Sequence, residues 1–344
     1  MKTSGFSTGI DTARVGACFM VVVLHVAALD FAVFDDRWWA SNFYDSLTRA
    51  CVPIFLMISG VLLLGKQEGT RVFFKKRFAR ILPPLLFWSL FYLAWRTWQG
   101  EDYGGAWDWV RELAHGPVAF HLWYLYAIVG IYLFVPFLRK IWQISSLTEK
   151  RVYLIAWAAV SGWPTIQTAF SFKVDLLGVY GMDSFFGLFG YLFLGAYLHE
   201  AHGRASYKTW YGWAHAGFFV LFSVLTMFAT FVYSRHEGAP DPLFYDYLSP
   251  LVMASSVSAF LVLYDLGARK VGEYSPQLKT MAAATLGIYC IHIFVLDVVQ
   301  AIVAQSSFSA SPWWSIPALA AVVFGVSMLI VTALRNFRPF AYVT

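Results

Sequence analysis

Residues 11–31 read DTARVGACFMVVVLHVAALDF. A helix needs roughly 20 mostly apolar residues to cross a hydrocarbon core about 30 Å thick, and this run has that length. A cleaved leader would have a shorter apolar stretch and would avoid Arg14 and His25. The stretch therefore predicts a retained first membrane span.

Similar runs recur along the chain. They predict spans near 12–33, 50–65, 79–97, 121–138, 152–170, 184–199, 212–233, 247–266, 281–303 and 313–334. The expected fold is an all-α polytopic membrane protein of about ten transmembrane helices, forming a single domain over 1–344. Composition agrees: 59% of residues are hydrophobic and 13% charged, whereas a soluble domain carries about 25% charged residues. Those figures exclude a soluble enzyme and a disordered chain. A transmembrane barrel would alternate in segments of about ten residues, and these runs are continuous. Cys18, Cys51 and Cys290 lie in apolar runs without CxxC spacing, so no disulfide framework and no metal site are expected. No nucleic-acid partner is expected either.

The charges set an orientation. If the N-terminus is cytoplasmic, the inner loops are 66–78, 139–151, 200–211, 267–280 and the C-terminal tail. Of 25 Lys and Arg, the six residues Arg37, Arg49, Arg96, Arg111, Lys173 and Arg235 then fall outside, leaving nineteen within. Positive charge is enriched on the cytoplasmic side of membrane proteins, so both termini are expected inside. The acidic residues Asp35, Asp45, Asp102, Asp175, Asp183 and Asp241 are expected outside.

Ionisable residues within a span are costly and point to function. Arg14 and His25 are eleven residues apart, close to three helical turns, so they share a face about 16 Å apart along the axis. The second span, TRACVPIFLMISGVLLLGK (48–66), contains Ser59-Gly60. Ser59 is expected to bond its own helix at i−4 or to serve the site. Gly60 admits either close helix packing or a site role. The next segment, KQEGTRVFFKKRFARILPPLLFW (66–88), holds Lys66, Arg71, Lys75, Lys76, Arg77 and Arg80 against Glu68 alone. Arg77 and Arg80 are spaced i,i+3 and share a helix face, a pattern that suits phosphate. The same loop could equally set topology or touch anionic lipid. No GxxxxGK[ST] loop is present, so an ATPase is not supported. His121, Trp123 and Tyr124 open the fourth span, either as an interfacial belt with a solvated histidine or as a sugar-binding edge. His292 and Asp297 lie in the ninth span on different faces, and Asp265 lies in the eighth.

In order along the chain, Arg14 to His25, VPIFLMISGVLLL, KKRFARILPPLLFW, HLWYLYAIVGIYLFVPFLR and TLGIYCIHIFVLD resemble the acyltransferase-3 family of bacterial membrane O-acyltransferases. The likeness runs from about residue 10 to 300. It is nearest to the stand-alone branch that acetylates surface polysaccharides, without a fused SGNH esterase-like domain. The family's opening Asp-x-x-Arg matches Asp11 to Arg14, with Ala13 where many members have Leu. Its Arg-x-x-Arg matches Arg77 to Arg80.

The resemblance implies a multi-pass protein of the bacterial cytoplasmic (inner) membrane. It implies His25 as the catalytic histidine, and Arg14, Arg77 and Arg80, with Lys75 and Lys76 beside them, as the site for acetyl-CoA or another acyl-CoA. The implied partners are that donor, a glycan or lipid-linked sugar acceptor, and membrane lipid. Ser59, His121, Trp123, Tyr124 and His292 are the supporting or acceptor-side candidates. A transporter or flippase for a glycolipid or acidic solute is the competing expectation. Against it, no pair of matching Gly/Pro-broken spans is found in two halves.

Overall fold

The computed structural model describes residues 2–172, 177, 187–204, 209–268, 275–305 and 311–344. The regular elements among them are all helical: α1 (Lys2–Ala27), α2 (Trp38–Thr48), α3 (Cys51–Leu63), α4 (Thr70–Trp98), α5 (Ala106–His115), α6 (Trp123–Ile144), α7 (Leu147–Ala169), α8 (Phe189–Arg204), α9 (Thr209–Glu237), α10 (Pro250–Ala268), α11 (Pro276–Ala304) and α12 (Pro312–Leu334), with short 3-10 turns between some of them. Among the described residues, eight stretches are long and apolar enough to cross a membrane: Thr8–Asp30, Trp38–Leu63, Thr70–Trp98, Phe120–Ile144, Gly212–Glu237, Leu243–Ala268, Pro276–Ala304 and Pro312–Leu334. The chain is a polytopic membrane protein.

The two remaining expected spans correspond to α7 and α8. The first turn of α7 carries Glu149, Lys150 and Arg151, and α8 is only 16 residues long. The start of the expected span 184–199 lies outside the described residues, as do Lys173, Asp175 and Asp183 of the expected outer loop and part of the inner loop 267–280.

Two corrections concern boundaries. The basic segment expected as a loop over 66–78 is helical from Thr70 and continues through Pro83-Pro84 as one helix to Trp98. Nothing in TRVFFKKRF breaks a helix, and Lys, Arg and Phe are acceptable helix formers. The second span begins at Trp38, not near residue 50. Asp45 and Arg49, expected in an outer loop, lie inside it. Asp45 is 1% exposed, and Arg49 grips it through Nε at 2.6 Å and Nη2 at 2.8 Å.

The chain forms two compact units. The first comprises Met1–Gly65, Ile141–Ala282 and Ser307–Val322; the second comprises Lys66–Lys140, Ala283–Ser306 and Val323–Thr344.

The first unit is assembled through glycines. α3 and α8 touch backbone to backbone: a Cβ on Gly60 would overlap the main chain at Leu192, and one on Gly195 would overlap the main chain at Met57. Gly190 lies under the Trp157 indole, whose Nε1 donates to the Gly187 carbonyl at 2.7 Å. α1 meets α10 in the same way, with an added Cβ on Gly9 only 2.9 Å from the Tyr264 carbonyl oxygen and one on Gly16 2.9 Å from Leu263. In lipid, where apolar burial does not drive helices together, such close approach supplies dispersion contacts instead.

The break between α2 and α3 falls at the Asp45–Arg49 pair. The Arg49 guanidinium also lies 4.4 Å from the centre of the Tyr245 ring. The Tyr245 hydroxyl donates to Asn42 Oδ1 at 2.5 Å, and Asn42 Nδ2 donates to the Met227 carbonyl at 3.1 Å. Ser41 Oγ donates to the Ala27 carbonyl at 2.7 Å and ties α2 to the end of α1. Ser41, Asn42 and Asp45 of α2 thus find their partners within the protein, as a water-free surrounding requires.

The second unit is bound by side chains that reach main-chain carbonyls across helices. Trp88 Nε1 donates to Val343 at 2.8 Å, the Tyr92 hydroxyl donates to Cys290 at 2.8 Å, and Arg335 donates to Ala283.

Four outcomes follow. Gly60→Leu should destabilise the protein by at least about 1–3 kcal/mol through overpacking. Gly65→Leu, where an added Cβ meets nothing within 4 Å, should change stability by less than about 0.5 kcal/mol. Thermal unfolding in detergent micelles checks both. Asp45→Ala, which leaves the Arg49 charge buried and alone, should cost about 3–5 kcal/mol, and Asp45→Ala combined with Arg49→Leu should recover part of that loss.

Candidate functional site

In the first unit the candidate residues lie on α1. At about 100° per residue, Gly9 and Gly16 fall on one side of the helix and Arg14 and His25 on nearly the opposite side. The glycine side is the one closed against α10. The structure therefore keeps Arg14 and His25 on one face, as their spacing predicts.

Arg14 donates from Nη1 to Asp11 Oδ1 at 2.6 Å. The spacing of about one helical turn lets the carboxylate hold the guanidinium in a fixed direction. His25 is half-buried between the buried residues Leu24 and Val26, so it is neither sealed in a core nor fully open. Ser59 is half-buried on α3 and donates to the Phe55 carbonyl at 2.9 Å, the i−4 bond expected for it.

The second unit holds two groups. The first is cationic and sits on the opening turns of α4. Lys76 Nζ bonds Glu68 Oε1 at 2.7 Å, and Arg77 Nη2 lies 3.9 Å from Glu68 Oε2. The Lys76 hydrogen bond holds the Glu68 carboxyl below the ordinary carboxylate range. The Arg77 guanidinium lies 5.6 Å from the centre of the buried Phe73 ring. Lys75 and Arg80 are exposed. Arg77 and Arg80 thus share a helix but not an environment.

The second group is buried. His121, which the sequence leaves open as a solvated residue, is 1% exposed, and His292 is fully buried. The two rings meet edge to face with centroids 5.2 Å apart. His121 Nε2 lies 3.2 Å from the Cys290 carbonyl, and His292 Nδ1 lies 2.7 Å from the Tyr289 carbonyl. A carbonyl only accepts, so these two nitrogens carry hydrogens, and in the neutral rings His121 Nδ1 and His292 Nε2 are acceptors. The Tyr289 hydroxyl donates to the His121 carbonyl. Tyr124 packs edge-on to Tyr289 at 5.9 Å, and Trp123 packs edge-on to Tyr124 at 6.2 Å. His121, Tyr124 and His292, widely separated in sequence, are brought together around Tyr289 and Cys290. Asp297 is half-buried near Trp95 Nε1 at 3.4 Å, apart from this cluster on its own helix.

Sequence reasoning missed four participants. Arg139 was expected to open a cytoplasmic loop but lies within α6 and is 5% exposed. Asp45 and Arg49 were expected in water; their i,i+4 spacing was the available signal. Tyr289 gave no signal, because a tyrosine in an apolar run reads as core.

These residues can hold anions at the start of α4 and can move a proton at His25. Among the described residues, no group of three or more His, Cys, Asp or Glu side chains is arranged to hold a metal. Comparison with curated proteins and with solved structures gives no match. The model of one family, described as an acyltransferase domain, matches residues 7–332 and so takes in every candidate residue above. The chain therefore belongs to the acyltransferase-3 family and is an acyltransferase.

Proposed function

We propose that the protein moves an acyl group, acetyl in the first instance, from cytoplasmic acyl-CoA to a hydroxyl of a cell-surface or lipid-linked polysaccharide in a bacterial inner membrane. The observation that carries this reading is the placement of half-buried His25 in line with Arg14 on the face of α1 turned away from the glycine seam. The competing transporter reading has no feature of this kind in its favour, and the family is one of acyltransferases.

In the proposed reaction the donor's phosphates are held by Arg14, Arg77 and Arg80, with Lys75 and Lys76 adding positive potential. Arg14 is directed by Asp11, which favours a fixed anion contact. The donor's extended arm then runs along α1, where about 16 Å separates Arg14 from His25. Neutral His25 takes the proton of the acceptor hydroxyl as its oxygen attacks the thioester carbon. The new C–O bond forms, the C–S bond breaks, and the proton on His25 passes to the leaving thiolate, giving the ester and free CoA. In a covalent variant His25 first accepts the acyl group and then yields it to the hydroxyl. On the acceptor side, Trp123 and Tyr124 offer flat faces to a sugar ring. Ser59, His121 and His292 support the transfer point. The two compact units work as one transferase domain, a reading supported by a family match that runs through both.

Purified protein given labelled acetyl-CoA and a lipid-linked glycan should yield esterified glycan. His25→Ala should lower that transfer by about 10²–10⁴-fold with its melting temperature unchanged. Near-normal transfer by this variant would falsify the assignment. Arg77→Ala should raise the KM for the donor by about tenfold or more, the worth of a charge-assisted hydrogen bond, and leave the KM for the acceptor unchanged.

A further inference from the structure

We infer that Glu68 is a tethered stand-in for the donor's phosphates, and that Arg139 is a further guanidinium of the same anion site. The inference rests on the acyl-CoA reading above and extends it to two residues that no sequence motif selects.

Glu68 lies between α3 and α4 in a segment bounded by Gly65 and Gly69, where an added Cβ would meet nothing within 4 Å. Three cations converge on it. Lys76 and Arg77 face its carboxylate at 2.7 and 3.9 Å. Arg139 Nη1 donates to its main-chain carbonyl at 3.0 Å. Arg77 and Arg139 also flank one ring: their guanidinium carbons lie 5.6 and 5.1 Å from the centre of Phe73, which is fully buried. Two guanidinium groups held against the same aromatic ring repel each other, and an anion close to both offsets that repulsion. One carboxylate among three cations, two of which face it, leaves a local surplus of about two positive charges, which suits a ligand carrying several phosphate charges.

The geometry is that of an unfinished pair. Asp45 and Arg49, in the same protein, show what a structural pair looks like, with two short bonds and both groups sequestered. Among the described residues, the short bond at Glu68 is to Lys76, whose side chain is 61% exposed while that of Glu68 is 11% exposed, and an ion pair with one partner so exposed contributes at most about 1 kcal/mol. Buried Arg77 Nε and Glu68 Oε2 make no hydrogen bond among the described residues. A carboxylate held this loosely can be displaced by a phosphate oxygen, which offers the same acceptor chemistry with more charge. Arg139 then keeps its grip on the Glu68 main chain or turns to the ligand, and both leave the carboxylate out of the site.

The test is equilibrium binding of CoA to the purified full-length protein in detergent, read by calorimetry. Glu68→Gln should tighten CoA at least about threefold, and Arg139→Gln should weaken it about tenfold, as loss of a charge-assisted hydrogen bond does. Arg139→Lys, which retains the charge but not the fork, should fall between wild type and Arg139→Gln and guards against misfolding of the more drastic variant. Glu149→Gln, which removes a carboxylate elsewhere, should leave affinity unchanged. Equal tightening by Glu68→Gln and Glu149→Gln would mean that net charge alone acts, and would overturn the inference. So would CoA binding by the wild type that Glu68→Gln and Arg139→Gln leave unaltered. Failure of the wild type to bind CoA at all would overturn the acyl-CoA reading, and the inference with it.

Discussion

The buried pair of Asp45 and Arg49 is the interaction on which the arrangement of the first unit turns. An isolated charge at that depth is disfavoured by several kcal/mol. The two side chains therefore have to meet, and they meet where α2 gives way to α3. Tyr245 is drawn in by the guanidinium, Asn42 by Tyr245, and α9 by Asn42 through the Met227 carbonyl. On the other side of α2, Ser41 is bonded to Ala27, two residues beyond His25. The chain of contacts from one ion pair thus reaches the end of the helix that carries the proposed catalytic histidine. Such a pair contributes less to net stability than its hydrogen bonds suggest. Its effect is to penalise every other arrangement of α2.

Two styles of polar group coexist in the chain. In the interior, several side chains close hydrogen bonds on a defined main-chain partner: Trp88 on Val343, Tyr92 and His121 on Cys290, His292 on Tyr289. At the start of α4, cations outnumber the anion available to them, and the shortest contact is made by a lysine that is largely exposed. A membrane interior tolerates only the first style. The second persists where solvent can screen it, and such surplus charge is the ordinary mark of a surface that meets anions.

Fold class was legible in the chain because the runs of apolar residues are long and their charges few. The α1 face shared by Arg14 and His25 was legible for a simple reason: eleven residues is nearly a whole number of turns. The second span was misjudged because its first half is rich in Ser, Asn, Asp and Thr. Hydropathy assigns such residues to water, and only tertiary structure shows that they satisfy one another. Arg139 was misjudged in the same way, since a cation at the end of an apolar run reads as a loop. The meeting of His121 with His292 rests on contacts 171 positions apart, which no local pattern records. The glycines of the α3–α8 crossing were half legible: Gly60 beside Ser59 suggested close packing, but Gly195 as its counterpart emerges only from the fold.

The length of α4 has a consequence for the bilayer. Its 29 residues extend about 44 Å, whereas the hydrocarbon layer is about 30 Å thick. The helix must therefore tilt, or its ends must stand out among the lipid headgroups. The turns that project are the charged ones, from Arg71 to Arg80, because they are the turns hydrocarbon rejects. Where the ends stand out, the cationic end of the helix lies at the depth of the phospholipid phosphates. Acidic lipids then become neighbours of that cluster and compete for it. Bilayer thickness and headgroup composition thus enter the behaviour of the protein as variables in their own right.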